Sequence, residues 1–185
     1  SQLQSFCNVD VRDETGYISS PGFPYFYPQL DRCTWNITGG EGQKVMAQVL
    51  DVSTSPPRQH YGQVVCDDNL SLIETDDRKL MMTCGDTLDF LKQVESQGNS
   101  LRINFQTAHF NPFRGFLLRY QIKNCPTLPP PKLGYLHHRN ESSAAYMCYK
   151  GHVFNDSLVN LETLLCIDGT HWNTTLSTCI RKYRL

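Results

Sequence analysis

The sequence predicts an all-β fold, and three observations lead to that prediction. Apolar and polar residues alternate with a period of two in several short segments, as they do in strands that bury one face. Turn signals rich in glycine and proline separate these segments. No stretch of the 185 residues keeps the apolar stripe of an amphipathic helix. Short strands divided in this way are typical of a β-sandwich or a small barrel.

Four segments carry the strand pattern. The alternation is clearest in Lys44–Val52 and Ser100–Gln106, which predicts two half-buried strands. Leu70–Ile73 predicts a shorter strand, and Gly115–Ile122 predicts a closing strand before a change in composition. Turns are predicted between these strands at Ser20–Gly22, Gly39–Gly40, Pro56–Pro57 and Gly98–Asn99.

A proline-rich segment divides the chain into two parts. Cys125–Pro131 holds four of the ten prolines, which cannot donate to the ladder of a central strand. The predicted domains are therefore residues 1–123 and 124–185, with four cysteines in each. The second part is too short for a large core, so we expect disulfides to supply much of its stability.

Composition excludes two classes of function. The chain has 17 Lys+Arg against 18 Asp+Glu, a balance that rules out the broad cationic face of a non-specific nucleic-acid binder. No apolar run approaches the ~20 residues that cross a bilayer, so we expect no direct membrane insertion by this segment. No secretory signal is present, and we expect a mature chain or an excised segment of one.

Cysteines and glycosylation acceptors indicate an oxidising compartment. The cysteine count is even and no pair is spaced Cys-x-x-Cys, which argues against zinc ribbons and thioredoxin-like chemistry. Spacing alone leaves three pairings open for each group of four. The cysteines are Cys7, Cys33, Cys66, Cys84, Cys125, Cys148, Cys166 and Cys179. The Asn-x-Ser/Thr acceptors are Asn36, Asn69, Asn140, Asn155 and Asn173. Together they predict a secreted or cell-surface glycoprotein rather than a cytosolic protein with eight thiols.

The first part resembles a CUB domain. The matching residues are Cys7, Gly16–Pro24, Tyr27–Pro28, Cys33–Trp35, Cys66, Cys84–Gly85, Phe105, Gly115–Phe116 and Tyr120. The resemblance implies an antiparallel β-sandwich with disulfides Cys7–Cys33 and Cys66–Cys84. It also places the aromatic run Phe23–Tyr27 in a structural motif, so we expect that run to be core.

The second part resembles a sushi (complement control protein) module, a small disulfide-rich β module. The matching residues are Cys125–Pro126, Tyr146–Cys148, Gly151, Cys166, Gly169, Trp172 and Cys179. The resemblance implies disulfides Cys125–Cys166 and Cys148–Cys179. Ser177 stands where the family usually has proline, a minor departure.

No catalytic signature is present, and we expect no enzymatic activity. The chain lacks the His-Glu-x-x-His helix of zinc proteases, the Gly-x-Ser-x-Gly nucleophile elbow and a glycine-rich phosphate loop. Gly39–Gly42 precedes a strand and is interpreted as a turn. His137 and His138 are neighbours on a predicted strand and would point to opposite faces, which disfavours a shared metal.

Calcium is disfavoured, and no cofactor is expected. Many CUB domains bind calcium through acids at three positions, which here are Ser53, Asp68 and Ala108. Only Asp68 keeps a carboxylate, and it is the residual candidate ligand. Asp51 or Asp67 would substitute only with a shift in register, whereas calcium needs six to eight oxygens. The acidic patch that captures a partner lysine in calcium-binding relatives is therefore not expected.

Two loops are candidate partner-binding surfaces. The segment 53–62 carries Arg58, His60 and Tyr61, residue types enriched in interfaces, on a loop stiffened by two prolines. The alternative is a solvated loop without a binding role, because lengthening a loop costs little free energy of folding. The segment 108–114 carries Phe110, Phe113 and Arg114 around an Asn-Pro turn. Its alternative is a phenylalanine that caps one end of the sandwich.

These observations predict a non-catalytic extracellular recognition module of adhesion or receptor-scaffolding type. Its partner would be an extracellular protein or a membrane receptor. The runner-up is the regulatory arm of a secreted complement-type or astacin-type protease whose catalytic domain lies outside this segment. Basic residues at Leu136–Arg139 and Arg181–Arg184 give only a weak signal for a sulfated glycosaminoglycan.

Overall fold

The computed structural model describes residues 2–29, 32–86, 92–109 and 112–182, and the chain divides into two compact units. The first unit is Ser1–Gly39 with Lys44–Ile122, and the second is Gly40–Gln43 with Lys123–Leu185. The division thus falls one residue before the boundary predicted from the prolines. Within the described residues, no helix has the length and apolar character needed to span a membrane.

The first unit is built from two five-stranded sheets. One has the strand order β1-β3-β12-β5-β10 and the other β2-β4-β11-β8-β9, and β6 and β7 form a separate hairpin. The strands are β1 (Gln2–Gln4), β2 (Val9–Val11), β3 (Thr15–Ser19), β4 (Cys33–Thr38), β5 (Lys44–Ser53), β6 (Arg58–His60), β7 (Gln63–Val65), β8 (Asn69–Ile73), β9 (Lys79–Thr83), β10 (Gln93–Glu95), β11 (Ser100–Gln106) and β12 (Gly115–Lys123).

Alternating burial along the strands builds the core between the two sheets. Every second side chain of β4 and β11, and of β5 as far as Val49, is fully buried, as the period-two pattern predicts. Trp35 packs edge-to-face on Phe116 at 5.5 Å between ring centroids, and Phe105 lies 5.1 Å from the same ring. Most pairs are antiparallel, but β1 pairs with β3 and β2 pairs with β4 in parallel. β1 and β2 lie in different sheets, and each forms an edge strand of its sheet.

The second unit is a smaller all-β unit. Its main sheet has the order β13-β14-β16-β17, and β15 pairs with β18. The strands are β13 (Gly134–Arg139), β14 (Ser143–Cys148), β15 (His152–Phe154), β16 (Leu161–Ile167), β17 (His171–Trp172) and β18 (Cys179–Arg181). Its core is small and centres on Tyr146, Phe154 and Leu164, with Trp172 packed beside them. Gly40–Gln43 belongs to this unit because the Thr127 amide donates to Glu41 O at 2.7 Å.

Each of the two units contains two disulfide bonds, and no cysteine in the chain is free. The bonds are Cys7–Cys33, Cys66–Cys84, Cys125–Cys166 and Cys148–Cys179, the pairs that the two family resemblances imply. Each bond constrains the unfolded chain and so raises the free energy of unfolding. The effect matters most in the second unit, because its core is small.

Arg139 is an internal hydrogen-bond donor of the second unit rather than a surface cation. Its guanidinium donates to Cys125 O at 2.6 Å, to Thr127 Oγ1 at 3.3 Å and to Ser143 O at 3.2 Å. It also lies over the Trp172 ring, 4.8 Å from the centroid. Burial lowers the pKa of Arg139 from its ordinary value. The hydrogen-bonding groups of the Arg139 guanidinium are therefore largely engaged within the second unit.

Replacing Arg139 tests this role. Arg139→Met keeps the aliphatic stem but leaves the carbonyl of Cys125 without its donor, so we expect a loss of about 1–3 kcal/mol in the free energy of unfolding. Calorimetry of the whole chain measures the effect. Arg181→Met is the matched control, because Arg181 is exposed and ends a strand of the same unit. Equal melting temperatures for the two variants would contradict the role.

Candidate functional site

The loops at one end of the first unit come together and form what we call the loop end. Register places the ends of the strands beside one another: Phe105 is opposite Cys33, and Gln106 is opposite Asn69. Leu117 lies opposite Ser19 in the other sheet, and Ser53 bridges to Asp86. The loop end consists of residues 5–8, 20–29, 54–68, 84–86, 107–109 and 112–114. It contains residues 54–62 of the first predicted partner-binding segment and the described residues of the second, 108–109 and 112–114.

Asp68 joins three loops of the loop end. Its carboxylate is fully buried; Oδ2 accepts the Tyr27 hydroxyl at 2.6 Å and Oδ1 accepts the Ala108 amide at 2.7 Å. The Tyr27 amide donates to Phe113 O at 3.2 Å, which ties the same loops a second time. Burial, together with the neighbouring Asp68 carboxylate, raises the pKa of Tyr27 above its ordinary value.

Arg114 makes a second polar cluster at this end. Its guanidinium binds both oxygens of Asp51, at 2.7 and 2.8 Å, and reaches Asp86 at 3.4 Å. The hydrogen bonds to Asp51 raise the pKa of Arg114. Gly115 allows the close approach that positions this segment, because a Cβ atom there would lie 1.9 Å from Ser20 Oγ. Its φ of +86° also favours glycine.

These residues do not fit a calcium site. Both Asp68 oxygens accept hydrogens from protein donors, and the Asp51 carboxylate is bound by a guanidinium. Ser53 and Ala108, two of the three positions at which the family resemblance implies calcium ligands, carry no carboxylate. Across the described residues, no three His, Cys, Asp or Glu side chains lie close enough to hold a metal ion. A calcium-independent loop end stays a prediction, tested below.

Residues 58–62 of the segment 53–62 belong to an exposed β-hairpin that continues to Val65. Strands β6 and β7 pair from Arg58–Val65 to His60–Gln63, and the turn residues Tyr61 and Gly62 both have positive φ, as a tight hairpin requires. Arg58 binds both oxygens of Asp67 at the base of the hairpin, at 2.6 and 3.0 Å. This pairing lowers the pKa of Asp67. Tyr61 stands at the tip beside His60, with ring centroids 4.5 Å apart.

The aromatic run Phe23–Tyr27 corrects one expectation. It was predicted as core, but only Tyr27 is buried, while Tyr25 and Phe26 are 79% and 59% exposed. The run is a turn closed by its own backbone, with the Tyr25 amide donating to Gly22 O at 2.8 Å. A turn cannot point successive side chains into one core, so the prediction was wrong for these two residues.

Exposed aromatic rings are concentrated at the loop end. Phe6 is 79% exposed and Tyr61 is 95% exposed, and with Tyr25 and Phe26 they are all the aromatic residues of the described first unit that are more than half exposed. Sequence reasoning found Tyr61 and missed the other three. Phe6 precedes a cysteine in a turn between two short strands. A turn at this position was the one local feature that could have indicated an exposed ring.

The remaining predicted contacts lie as follows. Phe113 is partly buried and packs against the core, which is the capping alternative, and Arg114 is engaged by Asp51. Phe110 lies outside the described residues. His60 and Arg58 are exposed on the hairpin. Partner binding by Arg58, His60, Tyr61, Phe113 and Arg114 stays a prediction.

The five acceptor asparagines also stay predictions as glycosylation sites. Asn140, Asn155 and Asn173 are exposed in the second unit. Asn36 and Asn69 are half-buried on strands of the first unit, and Asn36 Nδ2 donates to Asp10 at 3.1 Å.

Comparison with known sequences identifies relatives. A family model described as CUB domain matches residues 7–120. Mannan-binding lectin serine protease 1 of Homo sapiens is 26% identical over 190 residues, covering 94% of this chain and 26% of that protein. Procollagen C-endopeptidase enhancer 1 of Rattus norvegicus is 33% identical over 116 residues, covering 62% of this chain and 24% of that protein. The chain thus spans about a quarter of the length of these relatives.

Solved structures show the same fold. The crystal structure of the MASP-1 CUB2 domain bound to Ca2+ matches with a TM-score of 0.53 and 23% identity, covering 62% of this chain and 98% of that chain. The extracellular region of zebrafish Gpr126/Adgrg6 matches with a TM-score of 0.53 and 21% identity, covering 91% of this chain and 26% of that chain. At these identities the likeness concerns the fold alone.

The raised pKa of Tyr27 predicts a specific pH dependence. The folded state favours the neutral phenol, so this group stabilises the fold below about pH 10 and loses its contribution as the pH rises toward the higher folded value. Tyr27→Phe should destabilise the chain near neutral pH, and its stability should then approach that of the wild type as the pH rises. Denaturant unfolding with intact disulfides measures both curves.

Tyr17→Phe is the matched control for that experiment. Tyr17 lies half-buried on β3, in the sheet opposite to the one that contains β8, so its loss leaves the hydrogen bond between Tyr27 and Asp68 intact and reports the effect of removing one phenol hydroxyl. Parallel alkaline losses in Tyr27→Phe and the wild type would contradict the contact with Asp68.

Removal of divalent ions tests the calcium prediction. Because protein donors satisfy Asp68 and Asp51, chelation should leave the melting temperature of the whole chain unchanged. A ligand that binds only the folded state must raise that temperature. A rise of several degrees in millimolar calcium would therefore overturn our interpretation of Ser53, Asp68 and Ala108.

Proposed function

This chain belongs to the CUB domain family through residues 7–120, and from that membership we propose that it is an extracellular recognition module whose loop end binds a protein partner. The CUB domain is a non-catalytic module. The proposed type is adhesion or receptor scaffolding, and the proposed partner is an extracellular protein or the outer part of a membrane receptor.

The concentration of exposed aromatic rings at the loop end carries this proposal. Tyrosine and phenylalanine supply large contact areas with few rotatable bonds and are enriched in protein interfaces. Here four such rings project from the loop end, where Asp68 ties the loop of Tyr25 and Phe26 to the segment after the Tyr61 hairpin, and the Cys7–Cys33 disulfide holds the loop of Phe6. Preordered loops lower the entropic cost of binding, because fewer side chains and backbone segments become fixed in the complex.

We propose that the second unit is a sushi module. Its first cysteine pairs with its third and its second with its fourth, and its secondary structure is entirely strand among the described residues. The match to mannan-binding lectin serine protease 1 spans 94% of the chain, so it includes part of this unit. The match to procollagen C-endopeptidase enhancer 1 spans 62% of this chain.

The proposed location is the cell exterior, as a secreted or surface glycoprotein. Four disulfides are stable in an oxidising compartment, and five acceptor asparagines fit passage through the secretory route. A sulfated glycosaminoglycan is a weaker candidate partner, because Arg139 points into its own unit. Nucleic acid is disfavoured by the net charge of −1.

A second candidate function is the regulatory arm of a secreted protease. The observation that favours it is the match to a protein named serine protease over nearly the whole chain. In that case the units would position a catalytic domain encoded elsewhere in the same reading frame. Sequencing the reading frame beyond Leu185 separates the candidates, because only the second requires a protease domain there.

Alanine substitutions at the loop end test the proposed function. The glycosylated chain is used to capture partners from membrane extracts, and the affinity of a saturable partner is then measured for Tyr61→Ala and Tyr25→Ala. Each change should weaken binding by about tenfold or more, as loss of an interface anchor does. Both side chains are exposed, so the fold should keep its melting temperature.

Tyr149→Ala is the control, because Tyr149 is a similarly exposed tyrosine in the second unit. It should leave the affinity unchanged. A partner that is lost with Tyr149→Ala but kept with both loop-end variants would move the binding surface to the second unit. Finding no saturable partner would count against the recognition function itself.

A further inference from the structure

The second unit carries an apolar groove that its core does not fill. The groove has a volume of about 610 Å³ and is lined by two chain segments. One segment supplies Leu128, Pro129 and Pro131, and the other supplies Trp172 and Leu176. A volume of this size lies within the roughly 300–1,000 Å³ of pockets that enclose small ligands.

Hydrogen bonds hold the lining of the groove in place. The Trp172 indole donates from Nε1 to Pro126 O at 2.9 Å, and the Arg139 guanidinium covers one face of its ring. Leu128 O accepts the Tyr146 hydroxyl at 2.8 Å. Prolines at 129–131 have fixed φ angles and resist rearrangement. The groove is therefore preformed, and closing it would require breaking these contacts.

A glycosylation acceptor forms part of the same lining. Asn173, Thr174 and Thr175 all line the groove and make up the acceptor sequence. The Asn173 amide donates to Leu165 O at 2.8 Å, and its Oδ1 accepts the Leu165 amide at 2.9 Å. This pair of bonds orients the side chain. Nδ2, the atom that carries an N-linked glycan, donates to none of the described residues.

The other four acceptors are placed differently. Asn36, Asn69, Asn140 and Asn155 do not line the groove. Asn140 instead caps a turn, because its Oδ1 accepts the backbone amides of Ser142 and Ser143 at 2.9 and 2.7 Å. Asn155 adjoins the groove, since its backbone amide donates to Thr178 O at 3.0 Å, but Asn173 is the acceptor that itself forms part of the lining.

We propose that the glycan on Asn173 folds back over this groove and packs the apolar faces of its first sugars against Trp172 and Leu176. A pyranose ring has a face made of C–H groups, and covering it together with the groove removes apolar surface from water. The covalent link makes the contact intramolecular, so a weak interaction suffices to keep it formed. The glycan is thus an intrinsic part of the surface of the second unit. This inference rests on the proposed extracellular location, since glycosylation occurs in the secretory route.

Tryptophan fluorescence measures directly whether the glycan covers the groove. The chain has two tryptophans, and Trp35 is fully buried, so quenching by acrylamide measures the accessibility of Trp172. The whole chain is secreted from a eukaryotic cell as Thr175→Ala, which destroys the acceptor, and as Thr175→Ser, which keeps it. Both variants alter the same lining residue, and both preserve the bonds of Asn173 to Leu165.

We expect the quenching constant of Thr175→Ala to rise roughly twofold over that of Thr175→Ser, because the exposed apolar lining loses its cover. Binding of the apolar dye anilinonaphthalene sulfonate should rise in the same variant. Ser142→Ala removes the Asn140 acceptor and should change neither signal. Equal quenching in the two Thr175 variants, with Asn173 occupied in Thr175→Ser, would overturn the inference.

Two further measurements on the wild-type chain complete the test. Trimming each glycan to its first sugar should leave most of the protection, since that sugar is the one nearest Trp172, and full exposure after trimming would contradict the proposed contact. Mass spectrometry gives the occupancy of each acceptor. An empty Asn173 beside occupied acceptors overturns this inference alone. Five empty acceptors would overturn it together with the proposed extracellular location.

Discussion

The hydrogen bonds of one buried carboxylate, Asp68, hold the loop end together. Taking a carboxylate out of water is costly unless strong donors replace its hydration. Tyr27 and the Ala108 amide supply those donors from two other loops, at 2.6 and 2.7 Å. The cost of burying the charge therefore constrains the positions of the three loops, because the carboxylate loses its hydrogen-bond partners if these loops separate. We expect the same constraint to order the loops without a metal ion.

The aromatic residues of the first unit are placed in two different ways. Trp35, Phe105 and Phe116 fill the space between the sheets. At the loop end the chain reverses in turns, and rings there project outward instead of meeting the core. Exposed apolar groups concentrated in one region of a protein surface mark contact sites more often than scattered ones do. The opposite end of the unit carries charged loops, including Asp13, Glu14, Asp76, Asp77 and Arg78, all exposed.

Much of the fold could be predicted from local patterns. The strand predicted at Ser100–Gln106 has those bounds, and the one predicted at Lys44–Val52 extends one residue further, to Ser53. Alternation reports which face of a strand is buried, and such information is local. The contact of Tyr27 with Asp68 spans 41 residues, and no local pattern encodes it. The exposure of Tyr25 and Phe26 was missed for a related reason, because period-two reasoning does not apply inside a turn.

Amide hydrogen exchange in the metal-free chain is the most direct test of a loop end ordered by its own hydrogen bonds. The amides of Ala108 and Tyr27 donate to Asp68 and to Phe113, respectively, and both should exchange slowly after complete removal of divalent ions. Asp68→Asn should make both exchange much faster while the amide of Ile103 in β11 stays protected. Fast exchange at Ala108 and Tyr27 in the metal-free wild type, reversed by added calcium, would contradict the account.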